Sequence, residues 1–383
     1  MKVVVKAVET KKDLKTFIRL PYVIHKYHSN WIPPLYIDER KYFNQNKNHS
    51  FTCCDTVLAL AWSNGTAVGR IMGIINRSYN KLHEENYARF SFVETWDDHN
   101  VYHALIEYIL NWATKLGMIK LIGPLAFSDK DPQGFLVEGF NEIISIASTC
   151  NFKYLPDYTE REGFEKKYDL VVYRFNIPDV LPELHQRIYE RFNRNKKHLK
   201  LVEFSSRRKL KRYVKPVFHL VNKTFTGIYG FMPLTEGEMD EFANRYLYLI
   251  NPKFVKIIVT EKNELVSFII GMSDISNGLQ KSKGYLFPFG FLHILRAYKK
   301  SEQLNLLLGA VHPDYRGRGL DAIMAIKMIE SAKSLGVKKV DSHLELEHNS
   351  NIRAEMEKLG GKVYKRYRVY QKDLQRQFSP INF

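Results

Sequence analysis

Residues 304–325 read LNLLLGAVHPDYRGRGLDAIMA. An apolar run (Leu304, Leu306, Leu307, Leu308, Ala310, Val311) has the pattern of a strand and stops at His312-Pro313. A basic turn with two glycines follows, Arg316-Gly317-Arg318-Gly319, and then Leu320, Ile323, Met324 and Ile326 at helical spacing. Strand, Gly/Arg turn and helix together make an anion cradle. The first N–H groups of the helix have no partner, the helix dipole favours negative charge there, and glycine lets a ligand approach the backbone. Two arginines beside those amides suit a pyrophosphate better than a carboxylate.

The order continues in register beyond this helix. Leu335-Gly336 marks its stop, and residues 339–347 alternate like a strand. His348-Asn349, a helix through Met356, a Leu359-Gly360-Gly361 stop and a terminal strand over residues 365–370 complete the segment. This half of the chain resembles the GNAT superfamily of N-acyltransferases, whose acyl-CoA loop has the pattern Arg/Gln-x-x-Gly-x-Gly/Ala. Arg316 and Gly319 match its fixed positions, while Asp321 stands where the family has a small residue.

The resemblance implies a co-substrate, acetyl-CoA or another acyl-CoA. Its pyrophosphate would rest on Arg316, Gly317, Arg318, Gly319 and Leu320, and its carbonyl would be polarised by backbone amides of about Leu308, Gly309, Ala310 and Val311. Asn349 falls on the family's asparagine. Met356 falls where many members carry a tyrosine that protonates the leaving thiolate, so the usual acid is missing, and with Asp321 this leaves a non-catalytic acyl-CoA-binding protein as an alternative.

Acyl transfer to an amine also requires removal of a proton. The strand expected over residues 339–347 offers Glu345, Glu347 and His343 as candidate bases, with residues two apart on one face. His312 ends the motif strand and is a further candidate, acting through water. Tyr364, Tyr367 and Tyr370 follow closely enough to stand in as acids, Tyr367 being the one carried forward; as sheet residues they equally suit packing.

Residues 1–178 repeat the plan in weaker form. A strand over residues 55–61, an Asn64-Gly65 hairpin turn, strands over 67–75 and 88–93, a helix over 101–116 and strands beyond it resemble a second GNAT-like domain. Glu94-Thr95-Trp96-Asp97-Asp98-His99 occupies the place of its phosphate loop; it is acidic and lacks glycine, which predicts a degenerate domain without a CoA site. The expected fold class is therefore α/β with mixed sheets: two tandem GNAT-like domains, residues 1–178 degenerate and residues 179–383 carrying the acyl-CoA loop.

Two GNAT-like halves also occur in N-myristoyltransferases and in aminoacyl-tRNA-dependent transferases. A broad bacterial group of tandem-GNAT proteins resembles this chain further, in Asn30-Trp31-Ile32-Pro33-Pro34, Gly69-Arg70-Ile71 and Leu136-Val137-Glu138-Gly139-Phe140. An insertion over residues 276–301, rich in aromatic residues and glycine, reads as a cap on the core or a lid beside the acyl group.

Composition bounds the alternatives. The 383 residues suffice for two domains, and 45% hydrophobic with 26% charged residues is ordinary for a globular protein. No apolar run approaches the ~20 residues that span a bilayer. Charge returns too early in MKVVVKAVETKKDLK for a signal peptide, and three cysteines (Cys53, Cys54, Cys150) give no disulfide framework, which suits a cytoplasmic protein.

The net charge of +17 fits a polyanionic co-substrate, and tRNA under the alternative donor. The densest basic runs, around residues 194–200 and 207–212, interleave with apolar residues and read as exposed faces of folded elements. His25-x-x-His28 has helical ligand spacing but no further ligand nearby, and Asp129-Lys130-Asp131 lacks the spacing of a calcium loop, so no metal is expected. The acceptor is expected to be a small-molecule or peptide amine.

Overall fold

The computed structural model describes residues 2–145, 148–180, 183–194 and 198–374. Residues 195–197 of the first basic run and Leu181-Pro182 beside the expected boundary lie outside them. In chain order the first elements are β1 (Val4–Ala7), α1 (Lys11–Ile24), α2 (Tyr36–Tyr42), β2 (Cys54–Ser63), β3 (Thr66–Asn76), α3 (Arg77–His83), β4 (Tyr87–Thr95), α4 (His99–Lys115), β5 (Lys120–Gly123), β6 (Phe135–Glu138), α5 (Tyr154–Arg161) and β7 (Glu165–Asn176). Then come α6 (Glu183–Arg194), β8 (Leu199–Glu203), α7 (Arg207–Lys211), α8 (Val214–Thr224), α9 (Glu236–Tyr246), β9 (Val255–Thr260), β10 (Leu265–Ser273), α10 (Ser276–Ser282) and α11 (Gly290–Lys300). The chain closes with β11 (Gln303–Val311), α12 (Leu320–Ser334), β12 (Lys339–Asp341), β13 (Glu345–Leu346), α13 (Ser350–Lys358) and β14 (Lys362–Asp373).

Contacts divide the chain into two units. The first comprises Met1–Val171, Ser276–Leu295 and Lys365–Phe383; the second comprises Val172–Ile275 and Arg296–Tyr364. The insertion and the last strand's C-terminal part therefore group with the first unit, although they follow much of the second in sequence.

In the first unit the strands run in the order β1-β2-β3-β4-β5-β14, with β4 and β5 parallel. Asn64 and Gly65 both take positive φ (49° and 76°), as a tight hairpin turn between β2 and β3 demands. Alternate residues feed opposite faces: Ala59 and Ala61 pack with Leu105 and Ile109 of α4, while Leu58 and Leu60 pack with Phe17 and Ile18 of α1. Because both faces are covered, β2 and β3 read as nearly continuous apolar runs. The buried guanidinium of Arg70 donates to the Phe17 carbonyl at 3.0 Å, and that of Arg89 to the Phe127 carbonyl at 2.9 Å.

In the second unit the order is β12-β11-β10-β9-β8, with the end of β7 beside β12. Ile323 and Met324 of α12 cover Ile258 and Val266 on one face. Val217, Leu220 and Val221 of α8 cover Val255, Ile257 and Val259 on the other.

Two expected elements are broken. The sequence over residues 209–225 predicts a single helix, which divides at Arg212-Tyr213 because Pro216 lacks the N–H that would bond the Arg212 carbonyl, and its ring crowds that carbonyl. The strand expected over residues 339–347 stops at Asp341. Ser342 Oγ takes the Tyr173 N–H at 2.9 Å and donates to the His343 carbonyl at 2.8 Å, so a side chain replaces a rung of the ladder. His343 consequently lies outside any strand, and alternation along one strand does not place it beside Glu345.

A buried carboxylate at the end of β12, that of Asp341, joins it to three neighbouring strands. It accepts from Arg174 Nε and Nη2 (2.8 and 3.0 Å) on β7, from Gln303 Nε2 (2.8 Å) on β11 and from the Tyr364 hydroxyl. Breaking a buried pair by removing one partner costs ~3–5 kcal/mol, and the partial exposure of Arg174 reduces this to about 2–3 kcal/mol. Asp341→Ala is therefore expected to lower the urea midpoint of the folded protein by that equivalent. An unchanged midpoint would show that the carboxylate holds nothing together.

Candidate functional site

β11 hands the chain to α12 through a short, constrained path in the second unit. After His312 a single turn over Pro313–Tyr315 leads to an extended Arg316, and then Gly317 (φ 72°) and Gly319 (φ 75°) both enter the left-handed region. Gly319 is required twice over, since a Cβ there would lie 2.7 Å from Ile188 Cγ2. The backbone N–H groups of Gly317, Arg318 and Gly319 have no acceptor among the described residues, and the first intrahelical bond runs from Ile323 N to Gly319 O at 3.1 Å. The next amides are the free N–H groups of the helix start.

Both arginines are exposed, and each is tied back by one bond. Arg316 Nε donates to the Val311 carbonyl (3.4 Å), and Arg318 Nη2 to the Asp314 carbonyl (3.0 Å) with its guanidinium 4.8 Å from the Tyr315 ring centre. Their charges thus stand beside the free amides at little further entropic cost. Asp321 is exposed on the first turn of α12. It complements the helix dipole there, and with the exposed Asp314 of the preceding turn it is a local charge that opposes an anion.

The strand before this loop is opened on one side. β11 pairs in parallel with β12 over three residues only, Gln303↔Lys339, Leu304↔Val340 and Asn305↔Asp341. On its other edge it follows β10 to Val311, with a bulge: Ile270 faces Leu308 but Gly271 faces Leu306, so Leu307 is the extra residue. Residues 306–311, including Leu308, Gly309, Ala310 and Val311, thus keep β10 as partner on one edge while β12 has ended on the other. The sequence carried a sign of the bulge in Leu306-Leu307-Leu308, three apolar residues in a row on a strand of period two.

The candidate bases differ in setting. Glu345 and His343 are half-buried, and neither side chain has a hydrogen bond or ion pair among the described residues. Desolvation pushes the Glu345 carboxyl up to about 8 and the His343 imidazole down to about 4. Strong desolvation together with residual accessibility is the mark of a side chain set in a concave surface. Glu347 is half-buried, and its backbone carbonyl accepts from Arg353 Nη1 at 3.1 Å. Asn349 caps α13, its side chain accepting from Ile352 N at 3.4 Å.

His312 Nε2 lies 2.7 Å from Lys223 Nζ. On the other side of the ring Nδ1 accepts from Asp314 N at 3.3 Å, with the Asp314 carboxylate 3.7 Å away.

Met356 packs its side chain against the apolar cluster of Phe254, Leu304 and Met328 and offers no acid. Tyr364 donates its hydroxyl hydrogen bond to Asp341. In the first unit Tyr370 donates to Glu160 (3.0 Å), and Tyr367 is fully buried with its hydroxyl unpartnered among the described residues.

In the first unit the position matching the loop is filled differently. Asp98 caps α4 by accepting from Asn100 N at 2.9 Å, and Glu94 is 2.9 Å from His25 Nε2. Carboxylates thus stand at the end of β4 and at the start of α4. His25 Nδ1 in turn lies 2.9 Å from His28 Nδ1, so the two histidines are partners of each other. Among the described residues no group of three or more His, Cys, Asp or Glu is arranged to hold a metal ion.

Compared with solved structures, the chain resembles a tandem GNAT protein from the clavulanic acid biosynthesis pathway, solved without AcCoA. The TM-score is 0.55 at 12% identity, covering 97% of this chain and 99% of that one. The fold is a tandem GNAT fold. A GCN5-related N-acetyltransferase from Sphaerobacter thermophilus matches with TM-score 0.52 at 11% identity, over 97% and 96% of the two chains.

Two bacterial proteins are similar to this chain in sequence along almost its whole length. Protein YghO of Escherichia coli strain K12 is 25% identical over 95% of this chain and 94% of its own. A protein of Caulobacter vibrioides named bacterial ceramide synthase is 27% identical over 96% of each. No family profile matches the chain.

The raised Glu345 carboxyl has a consequence for stability. Between its ordinary value of 4.5 and about 8 the unfolded chain releases a proton that the folded protein retains. Stability attributable to this group therefore falls as pH rises through that window. In thermal melts, Glu345→Gln is expected to match the parent near pH 4.5 and to become progressively more stable than it toward pH 8. Parallel curves for the two proteins would show that the carboxyl is not desolvated.

Proposed function

We propose that the protein is an acyl-CoA-dependent N-acyltransferase that moves an acyl group from a thioester to a primary amine. The observation that carries this reading is the loop at the head of α12. Free amides, two left-handed glycines and two exposed arginines lie within one short loop, a set whose charge and donors suit a pyrophosphate. In this reading Arg316, Gly317, Arg318, Gly319 and Leu320 hold the pyrophosphate. The bulge at Leu307 turns amides among Leu308, Gly309, Ala310 and Val311 toward the thioester oxygen, where they stabilise negative charge as the amine adds.

Glu345 then takes the proton released by the attacking amine. With its carboxyl near 8 it lies close to the ~8.5 of a free thiol, so the same group can return the proton to the departing sulfur. That shuttle replaces the tyrosine absent at Met356. His343, held neutral, is the alternative acceptor of the proton, and Glu347 stands next in line. Asn349 acts by starting α13 behind them. Three free, half-buried cysteines suit a reducing cytoplasm.

The acceptor has two readings. A small or peptide amine is the general one. The Caulobacter vibrioides relative's name favours a second: a ceramide is a fatty amide of a long-chain amino alcohol, which would make both donor and acceptor of this chain long-chain lipids.

Calorimetry separates these possibilities. The parent protein is expected to bind acetyl-CoA or a long-chain acyl-CoA at micromolar affinity, and Arg316→Glu to weaken it by about tenfold or more. Glu345→Gln is expected to keep the binding and lose thiol release on addition of amine, while the parent's rate rises with pH toward a plateau above about 8. Unchanged binding by Arg316→Glu would refute the loop assignment. Absence of binding by the parent would point to an aminoacyl-tRNA donor or a non-catalytic role.

A further inference from the structure

The segment Ser276–Leu295 takes no part in the chemistry above, yet it is firmly built into the first unit. Gln280 Nε2 donates to the carbonyls of Ser29 (2.7 Å) and Trp31 (3.0 Å), and Tyr36 N donates to Gly284 O (2.9 Å). The Tyr285 ring lies 5.5 Å from that of Tyr36 and 6.3 Å from that of Tyr22. Two glycines close the turn between α10 and α11: a Cβ at Gly284 would meet Pro34 O at 2.4 Å, and one at Gly290 would meet Tyr285 O at 1.7 Å. The turn is therefore a fixed shape, with Leu279, Ser282, Gly290 and Ile294 buried beneath it.

What this fixed shape presents to solvent is apolar. Of the eighteen large hydrophobic side chains exposed among the described residues, six fall here: Tyr285, Phe287, Phe289, Phe291, Leu292 and Leu295. Phe287 is 81% and Phe289 66% exposed, which is costly for a phenylalanine that nothing covers. On α11, Ile294 faces inward while Phe291 and Leu295 share the outer line of the helix, which continues into Lys299. Charge on the segment has one sign. Residues 281–300 contain Lys281, Lys283, Arg296, Lys299 and Lys300 and no carboxylate.

We propose that the turn between α10 and α11, with the outer face of α11, is a docking surface for an anionic lipid bilayer. Aromatic side chains on a rigid turn enter the interfacial region, and the flanking lysines meet lipid phosphates. The net charge of +17 draws the whole protein to such a surface. A second copy of the chain is the poorer occupant, because a two-fold contact would bring together two patches of the same positive charge with no carboxylate in residues 281–300 to offset it.

The test is co-sedimentation of the full-length protein with vesicles of phosphatidylcholine alone and of phosphatidylcholine mixed with phosphatidylglycerol. The parent is expected to sediment with the anionic vesicles and to be released by salt. Phe287→Glu/Phe289→Glu changes only exposed side chains; it is expected to keep the parent's circular dichroism and lose vesicle partition by about tenfold or more. Lys281→Glu/Lys283→Glu is expected to lose the preference for anionic lipid. Three results would overturn the proposal: no sedimentation of the parent, equal sedimentation of the phenylalanine variant, or a parent dimer in velocity sedimentation that this variant dissolves.

Discussion

The second unit depends on one buried carboxylate placed where two parallel strands stop pairing. Asp341 is the last residue of β12, and its neighbour Asn305 is the last residue of β11 to pair with it. By gathering Arg174, Gln303 and Tyr364 the carboxylate anchors that rung from three directions. The ladder cannot slip at such a point, so the strand edge beyond it is left open at a defined place. A charge buried without partners would cost several kcal/mol, which is why the guanidinium of Arg174 accompanies it.

The loop at the head of α12 uses backbone N–H groups without an acceptor among the described residues, and it follows a strand that has kept a partner on one edge only. Such groups are normally avoided in a folded interior. Here the left-handed glycines leave them at the head of α12, with Arg316 and Arg318 adding full charges alongside. Anion recognition in this account comes mostly from main chain held in unusual conformations. That explains why an exposed Asp321 on the first turn of α12 is tolerated, since it replaces a small residue without moving the amides.

Local chemistry was legible in the sequence. Asn64-Gly65 announced its hairpin, and the alternation of strand, Gly/Arg turn and helix around residues 304–325 announced both the tandem GNAT fold and the loop. Features that depend on partners far away in sequence were not legible. Nothing near Ser342 indicates that its hydroxyl will intercept the Tyr173 N–H, and so the expected strand over residues 339–347 hides a break. Tyr370 pairs with Gly123, an association that brings residues at the end of the chain into the first unit and that no local pattern encodes. The shift at Glu345 is likewise a product of tertiary crowding, although the residue itself could be named from the sequence. Pro216 was the missed local signal: its ring divides the helix expected over residues 209–225.

The most direct measurement of the central claim is amide hydrogen exchange with and without CoA. The account expects slowed exchange in peptides covering Leu307–Val311 and Gly317–Leu320, with the acidic segment around Asp98 in the first unit unaffected. Protection confined to the first unit, or no protection at the head of α12 under saturating CoA, would contradict it.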